Sequence, residues 1–312
     1  MVRIYKTVDA SLKVIDAPEK DCWIMMTRPT EAELRDVAQR YEIDLNDLRA
    51  ALDEEERSRI EVEDNYTLLL VDIPIIEKSD RDRYVTQPLS ILIARDAIIT
   101  VCLEETPVLS TIEGKKTREF QTHMKTRFLL QILYRNASLY LQYLRVINRQ
   151  SETVEKQLHD STRNRELIEL LELEKSLVYF TTSLRSNEVV LEKMLKTESI
   201  KKYPEDTDLL EDVIVENRQA IEMANIYSGI LSGMMDAFAS VISNNLNIVM
   251  KFLAVVTIVL SIPTMIFSAY GMNVNTAMMP FANASFGFPL IIGFSVLISV
   301  GVAIYFAKKK MF

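Results

Sequence analysis

The chain has 312 residues, of which 48% are apolar, and its net charge is −8. This length allows two domains, and this apolar content excludes a disordered chain. The charge is unevenly distributed: residues 247–312 contain four lysines and no arginine or acidic residue, so residues 1–246 carry −12. An acidic part of this kind repels nucleic acid and attracts cations.

Residues 1–117 have the pattern of a mixed α/β domain. Four short runs rich in β-branched residues predict strands: CWIMM, YTLLLVDIPII, LSILIA and AIITVCL. Thr30, with Glu33 three residues later, predicts the start of one helix, and LNDLRAALDEEE predicts a second. The N-terminal residues lack the apolar run of a signal peptide, so we do not interpret them as one. Cys22 and Cys102 have no zinc-like spacing and are expected to be buried, reduced thiols.

Long helices are predicted for the next part of the chain, residues 118–206. We expect two antiparallel helices at about 118–160 and 165–199. The stretch SIKKYPEDTD then interrupts the pattern, and Thr207 is the expected N-cap of a third helix. This third helix is expected to run over residues 207–273, from the cytoplasmic part into the membrane.

No charged residue occurs over the 56 residues from Phe252 to Ala307. The stretch divides into two apolar spans at about 252–270 and 288–307, with a loop over 274–287 between them. A helix rises 1.5 Å per residue, so each span crosses a hydrocarbon core of roughly 30 Å. Two buried helices of a soluble protein are the alternative, but their length without charge favours membrane spans.

The lysines predict the orientation of the two spans. Lys251 precedes the first span, three lysines lie in the tail 308–312, and the loop has no basic residue. Basic residues stay on the cytoplasmic side of a membrane. Both termini should therefore be cytoplasmic, with the short loop outside.

One face of the third helix is small and polar. Steps of three and four back from Gly271 keep to one side of a helix and predict a face turned to a common axis. Such a face would line a pore, whereas close helix packing through small residues is the alternative. Asp236 would add a ring of carboxylates at the pore entrance, or else be a solvated charge. The face comprises Ser268, Thr264, Ser261, Thr257, Ala254, Met250, Asn247, Ser243, Ser240 and Asp236, followed by Gly233 and Gly229.

Gly271, Met272 and Asn273 end the first span. A ring of Asn273 amides would offer neutral acceptors to a hydrated cation, and Mg²⁺ gives up its waters reluctantly. Gly271 would let the chain turn out of the helix axis, and Met272 would pack against that turn. The alternative for Asn273 is a left-handed residue that ends the helix.

These residues resemble the CorA family of divalent-metal channels. The resemblance rests on YGMN at Tyr270–Asn273, the short loop, the terminal KKK, and LSGMMDAFASVISNNLNIVMK before the first span. It implies a funnel-shaped homopentamer in the cell membrane, a pore lined by the long helix, and influx of Mg²⁺ with Co²⁺ and Ni²⁺ as further cargo. It also implies that Gly271, Met272 and Asn273 form the selectivity filter, without an organic cofactor.

The resemblance further implies gating by cytosolic Mg²⁺ bound between neighbouring heads. Asp212 lies in the matching part of the long helix, and Asp80 or Asp82 in the acidic loop EKSDRD is the candidate partner. One departure concerns the outer loop, where many family members have acidic residues after the asparagine and this chain has none.

Three other classes of function share some of these sequence features. A zinc transporter of the ZntB branch shares the spans and the Gly-Met-Asn, but the polar face has no histidine or cysteine. A non-conducting, membrane-anchored scaffold would leave the long polar face without a purpose. No motif of a nucleotide-binding, hydrolase or zinc-protease site is present, so we expect no enzyme and only passive flux.

Overall fold

The computed structural model describes residues 1–9, 11–77, 83–112, 120–160, 164–197, 204–273, 275, 279–281 and 284–309. The chain forms two compact units, Met1–Met234 and Met235–Phe312. The first unit contains a sheet and helices, and the described part of the second is helical.

Seven strands in the described part of the first unit form one sheet, in the order β2-β1-β3-β7-β6-β5-β4. The pair β3–β7 is parallel and the other neighbouring pairs are antiparallel. The strands β6 and β7 form a hairpin that turns at Arg95-Asp96. The strands are β1 (Val2–Val8), β2 (Ser11–Val14), β3 (Cys22–Thr27), β4 (Arg59–Val62), β5 (Tyr66–Glu77), β6 (Arg83–Ala94) and β7 (Ala97–Cys102).

Two short helices and a 3₁₀ turn pack on one face of the sheet. They are α1 (Glu31–Tyr41), α2 (Leu45–Arg49) and the turn Ala50–Leu52. The predicted capping box starts α1: Thr30 Oγ1 accepts from the Glu33 backbone N–H, and Glu33 Oε2 accepts from that of Thr30. Their apolar side chains share one core cluster with the sheet, including Ile24, Leu34, Leu48, Leu68 and Ile99.

Longer helices cover the other face. Residues of α3 (Pro107–Ser110), α4 (Lys125–Asp160), α5 (Asn164–Lys196) and the beginning of α6 (Pro204–Tyr270) form a second core cluster with the sheet. Trp23 lies at its centre, with ring centroids 5.0 Å from Tyr5 and 5.2 Å from Phe128. Side chains alternate along a strand, so β5 sends Leu69 and Val71 to this cluster and Leu68 and Leu70 to the other.

The second unit comprises the end of α6, the described loop residues and α7 (Gly287–Lys308). By length and hydropathy, α6 and α7 are the two candidate membrane-spanning helices among the described residues. Val255 on α6 and Ser295 and Ser299 on α7 are buried, which marks the faces on which these helices pack.

Several predicted boundaries differ from the structure. The helix α6 begins at Pro204 and not at Thr207, because a proline in the first turn has a helical φ and needs no backbone partner for its nitrogen. The helix α4 begins at Lys125 and not near residue 118. The second predicted helix is shorter than expected: α2 ends at Arg49 and the 3₁₀ turn ends at Leu52, so the acidic DEEE run lies outside both. The strands β1, β2 and β4 were not predicted, since their sequences mix charged and apolar residues.

Candidate functional site

The Gly-Met-Asn segment lies at the end of α6. The Gly271 N–H donates to Phe267 O at 2.9 Å and to Ser268 O at 3.2 Å, which closes the last helical turn. Beyond this turn Met272 is 59% exposed, and Asn273 is exposed as well. Within the described part of the chain the Asn273 side chain makes no hydrogen bond, so its amide is available to a ligand.

Two features of the backbone bear on the roles of Gly271 and Asn273. Gly271 does not adopt a left-handed backbone, and a Cβ there would lie 3.4 Å from Phe267 O, an ordinary contact. The turn within one chain therefore does not require glycine. Asn273 is not among the described non-glycine residues with positive φ, so it is not the left-handed cap that the alternative interpretation required.

Tyr270 ties the helix end to the loop that follows. Its hydroxyl donates a 2.7 Å hydrogen bond to the carbonyl oxygen of Pro280. This contact brings the described end of the loop back beside the last turn of α6. The hydrogen bond thus joins the residue before Gly271, Met272 and Asn273 to the chain that follows them.

The predicted polar face of α6 is exposed. Every residue of it from Asp236 to Ser268 is exposed, whereas Val255 is only 1% exposed and Val259 and Ile266 are partly buried. The polar face thus lies away from the side of α6 that is covered within the second unit. An open groove of about 860 Å³ runs along the span. It is lined by four hydroxyl residues, Thr257, Ser261, Thr264 and Ser268, and by six apolar residues, Leu253, Val256, Ala269, Met272, Leu260 and Met265. Leu260 and Met265 were not part of the predicted polar face, because they lie beside it on the helix.

The hydroxyl groups on this face donate their hydrogens to the backbone of α6. Thr257, Ser261 and Thr264 donate to the carbonyl oxygens of Leu253, Thr257 and Leu260, at 2.8, 2.7 and 2.9 Å. Because their hydrogens are used in this way, the hydroxyl oxygens present lone pairs to the groove. A surface of acceptors suits the water shell of a cation.

Pro263 interrupts the hydrogen bonding of α6 inside this span. A proline cannot donate to the carbonyl four residues earlier, which here belongs to Val259. The hydroxyls of Ser261 and Thr264 lie beside this gap but do not fill it, since they donate to the carbonyl oxygens of Thr257 and Leu260.

The predicted regulatory residue Asp212 is exposed on the part of α6 that belongs to the first unit. Nearby, the Tyr134 hydroxyl donates to Glu216 Oε1 at 3.5 Å. The negative charge of Glu216, followed by burial and the charge of Asp212, raises the pKa of Tyr134. Asp80 and Asp82 lie outside the described residues. The described residues contain no group of three or more His, Cys, Asp or Glu side chains placed to hold a metal ion.

The two cysteines are free and buried, as the sequence predicted. Burial raises the pKa of the Cys102 thiol to about 11. A buried thiol of this kind is protonated and has little reactivity. Cys22 and Cys102 are therefore part of the core of the first unit.

Together these features define a helical membrane protein with an α/β head, two candidate spans and an exposed polar helix face. The model of the family described as "CorA-like Mg2+ transporter protein" matches residues 19–309. The chain therefore belongs to the CorA family.

Individual relatives agree with this assignment. The chain is 28% identical over 292 residues to the cobalt/magnesium transport protein CorA of Methanocaldococcus jannaschii, covering 92% of this chain and 90% of the relative. The complete structure of the CorA magnesium transporter from the same organism has a TM-score of 0.85 at 24% identity, covering 100% of this chain and 99% of that one. The ZntB cytoplasmic domain from Vibrio parahaemolyticus has a TM-score of 0.60 at 14% identity, covering 78% of this chain and 98% of that domain.

Proposed function

We propose that the chain forms a passive channel that admits Mg²⁺ into the cell, with Co²⁺ and Ni²⁺ as further cargo. The observation that carries the proposal is the exposed face of α6, whose hydroxyl oxygens point lone pairs into one groove that ends near Met272. The names of the family and of the Methanocaldococcus relative support magnesium and cobalt as cargo. No step needs a nucleotide or an organic cofactor.

A pore on this face requires further copies of the chain, because one helix cannot enclose a channel. We infer a homo-oligomer, with five subunits as the resemblance implies, in which the polar faces meet at a common axis. Asn247 and Asp236 would then lie on the inner side of the pore, and the Asn273 amides would form a ring at the outer end. A hydrated Mg²⁺ keeps its inner waters and is held through them by such neutral acceptors.

The membrane potential would drive the flux. With both termini cytoplasmic, Lys251, Lys308 and Lys309 flank the spans on the inner side of the plasma membrane. An inside-negative potential favours entry of a divalent ion by roughly 4.6 kcal/mol per 100 mV, twice the value for a unit charge. No acidic residue of the outer loop adds to this attraction, so selection rests on Asn273 and nearby carbonyl oxygens.

The first prediction concerns Asn273. In proteoliposomes with an imposed inside-negative potential, wild-type protein should take up Mg²⁺, and Asn273→Ala should lose at least tenfold of that flux because the outer ring of acceptors is gone. Asn275→Ala is the matched control, since it removes an amide two residues further along the same loop. Uptake is measured with an entrapped magnesium-sensitive dye.

Other outcomes of this experiment would contradict the proposal at different points. No metal influx through folded, inserted wild-type protein would favour the non-conducting scaffold. Equal flux through wild type and Asn273→Ala would place selection deeper along α6. An equal loss in Asn275→Ala would mean that the loop as a whole, and not Asn273, determines flux.

We further propose that cytosolic Mg²⁺ closes the channel by binding at Asp212, with Asp80 or Asp82 of a neighbouring subunit as partner. The exposure of Asp212 supports its availability to an ion from the cytosol. The second prediction is that millimolar Mg²⁺ on the cytosolic side reduces wild-type flux severalfold, whereas Asp212→Asn stays open because the ligand charge is lost. Asp208→Asn, one turn earlier, is the control. Equal inhibition of wild type and Asp212→Asn would remove Asp212 from the gate.

Zinc transport is the second candidate cargo. The likeness to the ZntB cytoplasmic domain concerns the fold alone and does not decide between the metals. The polar face offers hydroxyl and amide oxygens, which are hard ligands that suit Mg²⁺ better than Zn²⁺. Competition of Zn²⁺, Co²⁺ and Ni²⁺ against Mg²⁺ in the same vesicles ranks the cargo, and saturating Zn²⁺ uptake with no Mg²⁺ uptake would favour zinc.

A further inference from the structure

A small cavity lies in the first unit where α4, α5 and α6 meet strand β5. The space open to the centre of a water molecule is about 10 Å³. Three amides line it, on Asn136, Asn187 and Asn217, one from each of the three helices. Apolar side chains form the rest of the wall, namely Val71, Leu133, Ala137, Leu191 and Val213.

The amide oxygen of Asn136 has no hydrogen-bond donor within the part of the chain that the structure describes. Asn136 is 4% exposed, and its Nδ2 donates to the carbonyl oxygen of Asp72 at 2.9 Å. Its Oδ1 is buried and meets no hydrogen-bond donor among the described residues. The amide cannot be turned over, because Oδ1 would then face the carbonyl oxygen of Asp72. A buried acceptor left in this state is costly, and such groups are nearly always paired with protein or water.

The other two amides in the cavity donate their hydrogens elsewhere and not to Asn136 Oδ1. Asn187 uses both ends of its amide on the backbone of Asp72, donating to its oxygen and accepting from its N–H at 2.8 Å each. Asn217 Nδ2 donates to Leu184 O at 3.0 Å, and its Oδ1 accepts no hydrogen bond from the described residues. The amide oxygens of Asn136 and Asn217 are therefore both without a donor among the described residues.

We propose that the cavity binds one water molecule, which donates its two hydrogens to Asn136 Oδ1 and Asn217 Oδ1. The size fits one water and no larger ligand, since a water needs about 10–15 Å³ by this measure. The lining carries no charged side chain, so a bare metal ion would lack compensation there. The water links α4 to α6, the helix that also carries the polar face, at a point where the two asparagines have no direct bond to each other.

The test is a density map of the assembled full-length protein at about 2 Å resolution. The expected result is a peak within hydrogen-bond distance of Asn136 Oδ1 and Asn217 Oδ1 in every subunit. A cavity without density in a map that resolves other buried waters would overturn the proposal. This measurement uses only wild-type protein, so it does not depend on whether a variant folds.

A variant tests whether Asn136 holds the water. Asn136→Leu keeps the approximate size of the side chain, removes the acceptor, and leaves Tyr140 and Asn187 as donors to Asp72 O. The peak should be lost in its map. The matched variant Asn148→Leu changes an asparagine of the same helix that bonds Glu152 at the surface, and it should keep the peak. A peak that persists in Asn136→Leu would refute the assignment to Asn136.

Discussion

At the scale of the residue, burial acts against the negative charge of the Asp72 carboxyl group on β5. Burial raises its pKa, and the hydroxyl groups of Ser183 and Ser58 nearby oppose that shift only in part. Burial disfavours a charged carboxylate because a low-dielectric surrounding solvates it poorly. The protonated form of Asp72 is thus the form that suits the folded state.

The third prediction follows from this shift. The folded-state pKa of Asp72 lies above the unfolded value, so its stabilising contribution is present at low pH and is lost as pH rises through the raised pKa. Asp72→Asn cannot ionise. The wild type should therefore lose stability relative to Asp72→Asn as pH rises from about 4. Thermal unfolding of both proteins in detergent, at several pH values, measures the difference.

Glu31→Gln is a control of opposite sign. A hydrogen bond from Arg49 lowers the pKa of Glu31, so the contribution of Glu31 is present above the unfolded pKa and is lost as pH falls. The two difference profiles should slope in opposite directions. Parallel profiles of wild type and Asp72→Asn would show that Asp72 titrates as if it were in water.

At the scale of the element, a side chain on α5 bonds the backbone of β5 just beyond the point where its pairing with β4 ends. The pairing of β4 with β5 stops at Arg59 opposite Leu70. Two residues further along β5, the N–H and C=O of Asp72 meet the amide of Asn187 on α5 instead of a strand, at 2.8 Å each. An asparagine amide offers one acceptor and one donor side by side, as a paired strand residue does. Asn187 therefore joins α5 to the edge of the sheet.

The fourth prediction tests this joint. Asn187→Leu should lower the free energy of unfolding by about 1 to 3 kcal/mol, because the N–H of Asp72 loses its acceptor in a buried place. The carbonyl oxygen of Asp72 keeps Asn136 and Tyr140 as donors, which limits the loss. Asn148→Leu, whose amide bonds a surface glutamate, should change stability by less than about 0.5 kcal/mol. Denaturant unfolding compares the two, and equal losses would argue against a special role for Asn187.

At the scale of the whole molecule, charge and apolar surface are divided between the two units. Residues 1–234 contain both core clusters and nearly all the charged groups. The second unit has exposed large apolar side chains along both helices, such as Leu260, Met265 and Leu297. In water this surface would drive association, whereas in lipid it is already in an apolar solvent.

The fifth prediction concerns the independence of the first unit. Because its cores are complete within residues 1–234, a fragment of that length should be soluble and folded without detergent. Circular dichroism should show mixed helix and strand, with one cooperative thermal transition. A fragment that is unfolded or aggregated in buffer would mean that the second unit is needed for the first to fold.

How much the sequence predicted depends on whether a feature is local. The capping box of α1 was predictable because Thr30 and Glu33 are three residues apart and satisfy each other. The three strands that were missed have no such local signal, since β1, β2 and β4 are defined by the strands beside them. The carbonyl partners of Ser261 and Thr264 could not be predicted, because a hydroxyl on a helix can reach more than one carbonyl and only the geometry decides which.

By itself the sequence determined the two candidate spans and the polar face of α6. A run of 56 residues without charge suits lipid, and a repeat of three and four places residues on one side of any helix. Only the tertiary structure decided that this polar face is left uncovered, that Asn187 completes the sheet, and that Asn136 and Asn217 share a cavity. Each of these depends on residues far apart in the chain meeting in space, which a local pattern does not encode.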